Sequence, residues 1–278
     1  MVGGGGLGIV GLLAYLFFGV VGGGGGGGPT LGGTVPGSTS VNGAAASESR
    51  EELQRRCNTE GALDRYTDCR IIKVYNVADE VWQDEFARRG VEYRPPRLAF
   101  FGRATNTGCG QASASTGPFY CPADERIYFD LDFLGQLQER FGAEGEFAQA
   151  YIVAHEFGHH IQRITGTEQR VRQLQQQNPA QHNAASVRLE LQADCYAGVW
   201  STLADRRGED GIALREQDIA EAIDAAEAVG DDNIQRTTQG RVDPESWTHG
   251  SSQDRREWFL RGLRSADVTA CNTFGGRG

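Results

Sequence analysis

The chain has 278 residues, with 27 Lys and Arg against 37 Asp and Glu, so its formal net charge is −10. This acidic balance argues against nucleic acid as a partner and makes anionic membrane surfaces poor partners too. A hydrophobic fraction of 39% and a charged fraction of 23% are typical of a globular protein, long enough for one large domain or two small ones.

The N-terminal part of the chain predicts a membrane anchor followed by a linker. No charged side chain precedes Glu48, and residues 1–22 form an apolar run just long enough for a transmembrane helix, which needs roughly 20 residues. A buried core helix or a cleaved signal peptide is the alternative, but a signal peptide would have a basic start. Residues 23–48 are rich in Gly, Ser, Thr and Pro and predict a flexible linker. The folded domain is predicted over residues 49–278.

Six cysteines are compatible with three disulfides. Two pairs are close in sequence, which favours local bonds between Cys57 and Cys69 and between Cys109 and Cys121, with Cys195 and Cys271 left as a long-range clasp. Six reduced thiols in a cytosolic protein are the alternative. An anchor followed by an even number of cysteines favours a single-pass membrane protein whose domain lies outside the cytoplasm, in the periplasm or the extracellular space.

The domain is predicted to be mainly helical with a small sheet, which is the α+β class. A helix start is expected near residue 49, and strands are expected at 98–101 and 126–131 around a turn-rich segment at 102–122. The hydrophobic and capping patterns predict further helices at 80–89, 144–164, 168–177, 183–206, 215–229 and 254–263.

His155, Glu156 and His159 form an HExxH motif. Residues four apart share one face of a helix, so both imidazoles can reach one metal ion. Zinc binds neutral imidazole, and Glu156 beside it can take a proton from a water molecule that the metal acidifies. A chance match on a polar helix face is the alternative, but the flanks YIVA and IQRI give the apolar face that a buried active-site helix needs. The motif therefore predicts a zinc site with Glu156 as its base.

A catalytic zinc needs a third protein ligand and an open fourth position. The pattern HExxHxxGxxH does not supply the ligand, because Gln162 stands at the glycine position and Thr165 at that of the third histidine. Glu190, in a later predicted helix, is the best candidate. Asp194, one turn further on, could accept the second N–H of a ligand histidine. Glu168 is the rival ligand, and an ordinary solvated helix face is the alternative for both acids of the later helix.

A peptidase of this type also needs a hydrogen-bond donor for the oxyanion of the tetrahedral intermediate. His249 or Tyr196 could supply it. His160 points about 100° away from its neighbour in the motif, which indicates a structural or solvent-facing role, and His182 is expected in a loop. The strand predicted at 126–131 could bind an extended peptide by edge pairing.

Taken together, these motifs resemble those of the bacterial neutral zinc metallopeptidases. The resemblance covers nearly the whole chain and includes the glycine-rich start with a single anchor. It is carried by the segments HEFGHH, ELQADCYAG, CGQASASTGPFYCPADERIYFDL and HGSSQDRREWFLRG. It implies a zincin-like core of the gluzincin type, with zinc on His155, His159 and Glu190, with Glu156 as the base, and with Asp194 bonded to a ligand histidine.

The sequence therefore predicts a membrane-anchored, zinc-dependent peptidase with one zinc ion per chain. Its partners would be a peptide or protein substrate and, through the N-terminal helix, the membrane, but not nucleic acid. The alternative is a non-catalytic envelope binding module with a structural or vestigial zinc site. Glu156 favours the enzyme, because a binding protein needs no base beside an open zinc position.

Overall fold

The computed structural model is mainly helical with a small sheet, which confirms the α+β class. The predicted anchor and linker, 1–22 and 23–48, lie outside the described residues. In the part of the chain that the structure does describe, no helix combines the length and apolar character needed to cross a membrane. The described residues are 50–102, 104–113, 116–130, 133, 145–208 and 211–275.

Helices flank a short β-rich segment in chain order. Before it come α1 (Arg50–Cys57), α2 (Ala62–Arg65) and α3 (Thr67–Arg88). The strands are β1 (Arg97–Phe101), β2 (Ala104–Thr107), β3 (Gly110–Ser113), β4 (Phe119–Cys121) and β5 (Arg126–Asp130). After them come α4 (Glu146–Ile164), α5 (Thr167–Gln177), α6 (His182–Asp205), α7 (Glu216–Ala228), α8 (Asp231–Gln239) and α9 (Ser252–Ser265).

Most predicted elements are present, but α2 was not predicted, and β2, β3 and β4 lie in the segment predicted as turn-rich. The helix predicted at 80–89 is only the last part of α3, whose earlier turns bury an apolar face that includes Ile71 and Val74. The short helix α8 is missing from the prediction, since its sequence is almost entirely polar and only Asp231, Ile234 and Gln235 are buried. Helices are predicted from an apolar stripe along the sequence, and a polar helix that depends on contacts with neighbouring elements lacks that signal.

The sheet corrects the prediction for the strand at 126–131. β5 is the central strand of the order β1-β5-β4, parallel to β1 and antiparallel to β4. Both of its edges are therefore occupied, and it cannot add a peptide strand by edge pairing. Among the described residues, β1 and β4 each pair with β5 alone, so both are edge strands with one open side.

The core forms where α4 packs against α6 and α3. Gly158 of α4 permits the approach, because a Cβ at this position would lie 2.8 Å from the Cα of Ala193 in α6. α9 lies equally close to α6, since a Cβ on Gly262 would be 1.9 Å from the carbonyl oxygen of Cys195. The largest fully buried side chains are Trp82, Trp200, Tyr151, Phe129, Phe157 and Phe259.

The three predicted disulfides are confirmed. They are Cys57–Cys69, Cys109–Cys121 and Cys195–Cys271. The third joins α6 to the short 3₁₀ helix Val268–Cys271, so it fixes this C-terminal segment against the helix that contains Glu190.

Candidate metal centre

Helix α4 holds the HExxH side chains in a buried position. The rings of His155 and His159 lie on one face with their centroids 4.8 Å apart, as the four-residue spacing dictates. Glu156 is also buried. The start of the helix is held from α7, where the Glu221 carboxylate accepts the N–H of Phe147 at 3.0 Å. A carboxylate at the N-terminus of a helix accepts a hydrogen bond from a backbone N–H that has no partner within the helix. Its negative charge also interacts favourably with the helix dipole.

Glu190 of α6 meets both histidines. Its carboxylate oxygens lie 3.2 Å from Nε2 of His155 and 3.5 Å from Nε2 of His159, and the three ligand atoms lie within 4.8 Å of one another. Two ligand atoms about 2.1 Å from a tetrahedral zinc ion are about 3.4 Å apart. The donor set and its spacing therefore fit one zinc ion. In the described part of the chain, no other group of His, Cys, Asp and Glu has this geometry.

Asp194 lies on the outer side of His155, as its one-turn spacing from Glu190 predicts. Its Oδ1 is 2.8 Å from Nδ1 of His155. The same carboxylate accepts two hydrogen bonds from Arg255, each of 2.9 Å, and one from the hydroxyl of Tyr151. An Nδ1–H bond to a carboxylate leaves the Nε2 lone pair directed at the metal position.

The charges of this cluster are strongly coupled. Burial alone would lower the pKa of His155, but Asp194 and the bond to Glu190 outweigh it and raise the pKa to about 9. Burial would raise the pKa of Glu190, but His159 and His155 bring it well below its usual range. A metal ion would therefore replace a proton held between these groups, and metal binding to such a site releases protons.

Glu156 is placed as a proton acceptor. Burial raises the pKa of its carboxyl, and Glu190 raises it further, while the two motif histidines act in the opposite direction. The backbone of Tyr120, in β4, also acts to lower the pKa of this carboxyl. Glu156 of α4 is therefore close to β4.

His249 is buried and faces the same cluster, close enough that it and Glu190 affect each other's pKa. Its Nδ1 lies 3.2 Å from Asp231 Oδ1, and the other oxygen of Asp231 accepts the backbone N–H groups of Thr248, His249 and Gly250. Burial alone would lower the pKa of His249, but the bond to Asp231 outweighs it, so the pKa is raised.

The other candidates lie outside the cluster. Glu168, the rival ligand, is paired with Arg172 and with Arg163, whose Nη1 is 3.5 Å away. Tyr196 packs its ring edge-on against Trp82 in the core.

The two remaining histidines are not part of the metal group either. His160 has a structural role, because its ring nitrogens bond the hydroxyl of Tyr120 at 3.0 Å and the carbonyl of Arg94 at 2.7 Å. His182 was expected in a loop, but it begins α6. The connection between α5 and α6 contains the 3₁₀ turn Pro179–Gln181. It ends one residue earlier than the polar sequence indicates.

Sequence reasoning did not identify Arg255 or Asp231 as parts of the site. Arg255 stands in the quoted segment HGSSQDRREWFLRG, but nothing local separates it from its neighbour Arg256. In the structure the first is 3% exposed and the second is exposed. The only available signal was position, since Arg255 is four residues before the buried Phe259 on the same face of α9.

Comparisons with known proteins agree with this geometry. A family model described as "Putative neutral zinc metallopeptidase" matches residues 2–274. YpfJ of Escherichia coli K12 is 48% identical over 198 residues, which are 71% of this chain and 68% of that protein. Rv2575 of Mycobacterium tuberculosis H37Rv is 43% identical over 227 residues, 79% of this chain and 74% of that protein. Both relatives are named as uncharacterized proteins. No solved structure matches the chain at a significant level.

Proposed function

The chain belongs to the neutral zinc metallopeptidase family, and from this premise we propose that it is a zinc-dependent peptidase with one zinc ion per chain. The observation that carries the proposal is the meeting of two Nε2 atoms with the Glu190 carboxylate at 3.2 and 3.5 Å. That spacing suits a tetrahedral zinc with an open fourth position. The buried Glu156 beside it supports a hydrolytic rather than a structural site, because a structural zinc is closed by protein ligands.

His155, His159 and Glu190 would hold the metal. Zinc bound there would act as a Lewis acid that acidifies a water molecule and polarises the substrate carbonyl. Glu156 would accept a proton from the attacking water molecule and return it to the leaving amine. The Glu156 side chain is buried, which limits its orientations and favours one position for the proton transfer.

His249 is our candidate for stabilising the negative charge that develops on the carbonyl oxygen. Asp231 favours the protonated imidazole, which has an N–H on both nitrogens. Because Nδ1 is directed at Asp231, Nε2–H is the donor left for the substrate. A preorganised donor of this kind contributes to the transition state and not to zinc binding.

The open side of β4 is our candidate surface for the substrate. The contact between Tyr120 and Glu156 brings this strand to the base, and an extended peptide could add to the strand through backbone hydrogen bonds. We also propose that residues 1–22 anchor the protein in the membrane and that the folded domain lies outside the cytoplasm. Three disulfides support an oxidising compartment.

The test is the pair of variants Glu156→Gln and Glu168→Gln in the full chain, assayed for zinc content and for cleavage of a complex mixture of denatured proteins by mass spectrometry. Removing a general base costs about 10²–10⁴-fold in rate, so Glu156→Gln should keep one zinc and lose cleavage. Glu168→Gln should keep both. An unmodified chain that binds zinc but cleaves nothing would favour the envelope binding module, and normal cleavage by Glu156→Gln would refute the mechanism.

A further inference from the structure

A chain of buried side-chain amides runs from His159 to the C-terminal disulfide. Nδ1 of His159 lies 3.0 Å from Oε1 of Gln162, whose Nε2 lies 2.7 Å from the carbonyl oxygen of Leu189 and 3.2 Å from Oε1 of Gln192. Nε2 of Gln192 lies 2.9 Å from the carbonyl oxygen of Cys271. Both glutamines are buried, so water does not replace these bonds cheaply.

The backbone carbonyls of Leu189 and Cys271 determine which group donates and which accepts in every hydrogen bond of this series. A backbone carbonyl can only accept a hydrogen bond. The carbonyl of Cys271 therefore requires the NH₂ of Gln192 to face it, which turns Oε1 of Gln192 toward Gln162. The carbonyl of Leu189 requires the same of Gln162. Both requirements leave Oε1 of Gln162 directed at His159, so Nδ1 of His159 must be protonated and donate a hydrogen bond to this oxygen.

We propose that Gln162 and Gln192 are positioning residues that hold His159 in the Nδ1–H tautomer, with the Nε2 lone pair directed at the zinc position. This deepens the proposed function and rests on the zinc site at its centre. The two ligand histidines are then oriented by different chemistry, His155 by the charged carboxylate of Asp194 at 2.8 Å and His159 by a neutral amide. Gln162 stands where other zinc motifs have a glycine, and this position gives the amide its reach to the imidazole three residues before it.

The end of this hydrogen-bond series at Cys271 is held in place by a disulfide bond. Cys271 is joined to Cys195, which lies three residues after Gln192 on α6. Its carbonyl is therefore held beside the same turn of the helix that presents the second amide. The packing of α9 against α6 closes this region, and Cys271 is fully buried.

The experiment measures the zinc dissociation constant of the full chain by competition with a chelator of known affinity, at constant pH. Changes in partners that orient metal ligands typically cost 10–100-fold in metal affinity, so Gln162→Met should weaken zinc binding by about that factor. Gln192→Met acts one bond further away and should have a smaller effect in the same direction. Gln162→Glu keeps an oxygen acceptor for Nδ1–H, and should recover zinc affinity relative to Gln162→Met.

The matched control is Gln175→Met. Gln175 is also buried, and its Nε2 bonds the carbonyl of His182 at 3.2 Å and the hydroxyl of Ser186 at 3.1 Å, outside the metal group. It should lose unfolding free energy, measured in urea, and keep its zinc affinity. Equal weakening by Gln162→Met and Gln175→Met would overturn the proposal, because the effect would then be general loosening. So would wild-type affinity in Gln162→Met while the unmodified chain binds zinc. If the unmodified chain binds no zinc, the proposed function fails as well.

Discussion

Arg255 forms a bidentate ion pair with Asp194 in which both hydrogen bonds are 2.9 Å long. The guanidinium is 3% exposed and the carboxylate is fully buried. Asp194 also accepts a bond from Tyr151 and faces Nδ1 of His155. The carboxylate that orients one proposed zinc ligand is therefore neutralised by a residue that lies 61 positions later in the chain.

We expect Arg255→Met to destabilise the protein and weaken zinc binding. It leaves Asp194 as an uncompensated buried charge, and breaking a buried ion pair from one side costs about 3–5 kcal/mol of unfolding free energy. Urea unfolding and zinc competition measure the two effects. The control is Arg256→Met, since Arg256 is exposed and its nearest partner, Glu227, is 3.4 Å away. Unchanged stability in Arg255→Met would mean that the ion pair has no structural role.

Replacing each of the two competing glutamates should separate their roles. Glu190→Ala should abolish stoichiometric zinc binding, because two histidines alone leave the ion short of a third protein ligand. Glu168→Ala should keep one zinc, since Glu168 is occupied by Arg172 and Arg163. Elemental analysis of the purified full chains measures the zinc. Loss of zinc in Glu168→Ala but not in Glu190→Ala would identify Glu168 as the third ligand.

His249→Ala should lower kcat and leave zinc in place. Loss of one preorganised oxyanion donor costs about 10²–10³-fold in kcat, and His249 is not among the residues that form the metal group. Steady-state kinetics on a peptide substrate, with zinc content measured in parallel, tests this. His182→Ala is the control, because His182 lies at the start of α6, outside the metal group. Full turnover in His249→Ala would remove the residue from the mechanism.

The pair of Asp231 and His249 should make stability depend on pH in both directions. Burial would raise the pKa of Asp231, but the bond from His249 and the backbone N–H groups outweigh it, so the pKa is lowered. Its contribution is present above the unfolded value of about 3.9 and is lost as the pH falls through the folded pKa. The pKa of His249 is raised, so its contribution is full below its unfolded value of about 6.5 and is lost as the pH rises through the folded pKa.

The stability difference between the wild-type chain and Asp231→Asn should therefore be largest near pH 5.5, at about 2 kcal/mol, and smaller on both sides. Urea unfolding of the zinc-free protein across this pH range gives the profile without interference from metal loss. The control is Asp224→Asn at an exposed position of α7, which should change the free energy of unfolding by less than about 0.5 kcal/mol. A flat profile for Asp231→Asn would show that the pair is not ionised as described.

Several features of the fold and site follow from local sequence. The HExxH spacing places His155 and His159 on one face because helix geometry repeats every 3.6 residues. The close spacing of Cys57 and Cys69 favours a local disulfide, which the structure contains. The family resemblance and the pattern of ELQAD single out Glu190, although a glutamate and an aspartate four residues apart are common on ordinary helices.

The incorrect predictions concern long-range neighbours. The strand predicted at 126–131 is present, but its place in the sheet is decided by which segments pair, and β1 and β4 occupy its two sides. The polar helix α8 has no apolar stripe to reveal it, although it supplies Asp231 to the site. His182 is a local exception, since the helix begins at this residue, one position earlier than predicted and directly after the 3₁₀ turn that ends at Gln181.

The sequence by itself determined the α+β class, the placement of His155, Glu156 and His159 on one helix, and the cysteine pairs. These depend on spacing within a segment, which a regular helix or a short loop converts directly into geometry. Only the tertiary structure decided that Arg255 neutralises Asp194, that Asp231 holds His249, and that β4 rather than β5 has an open side. Those relationships require helices and strands far apart in sequence to approach within a few ångströms. How closely these elements approach one another depends on side-chain packing and on glycines that allow close contact between helices, such as Gly158 and Gly262. A local sequence pattern does not specify such contacts.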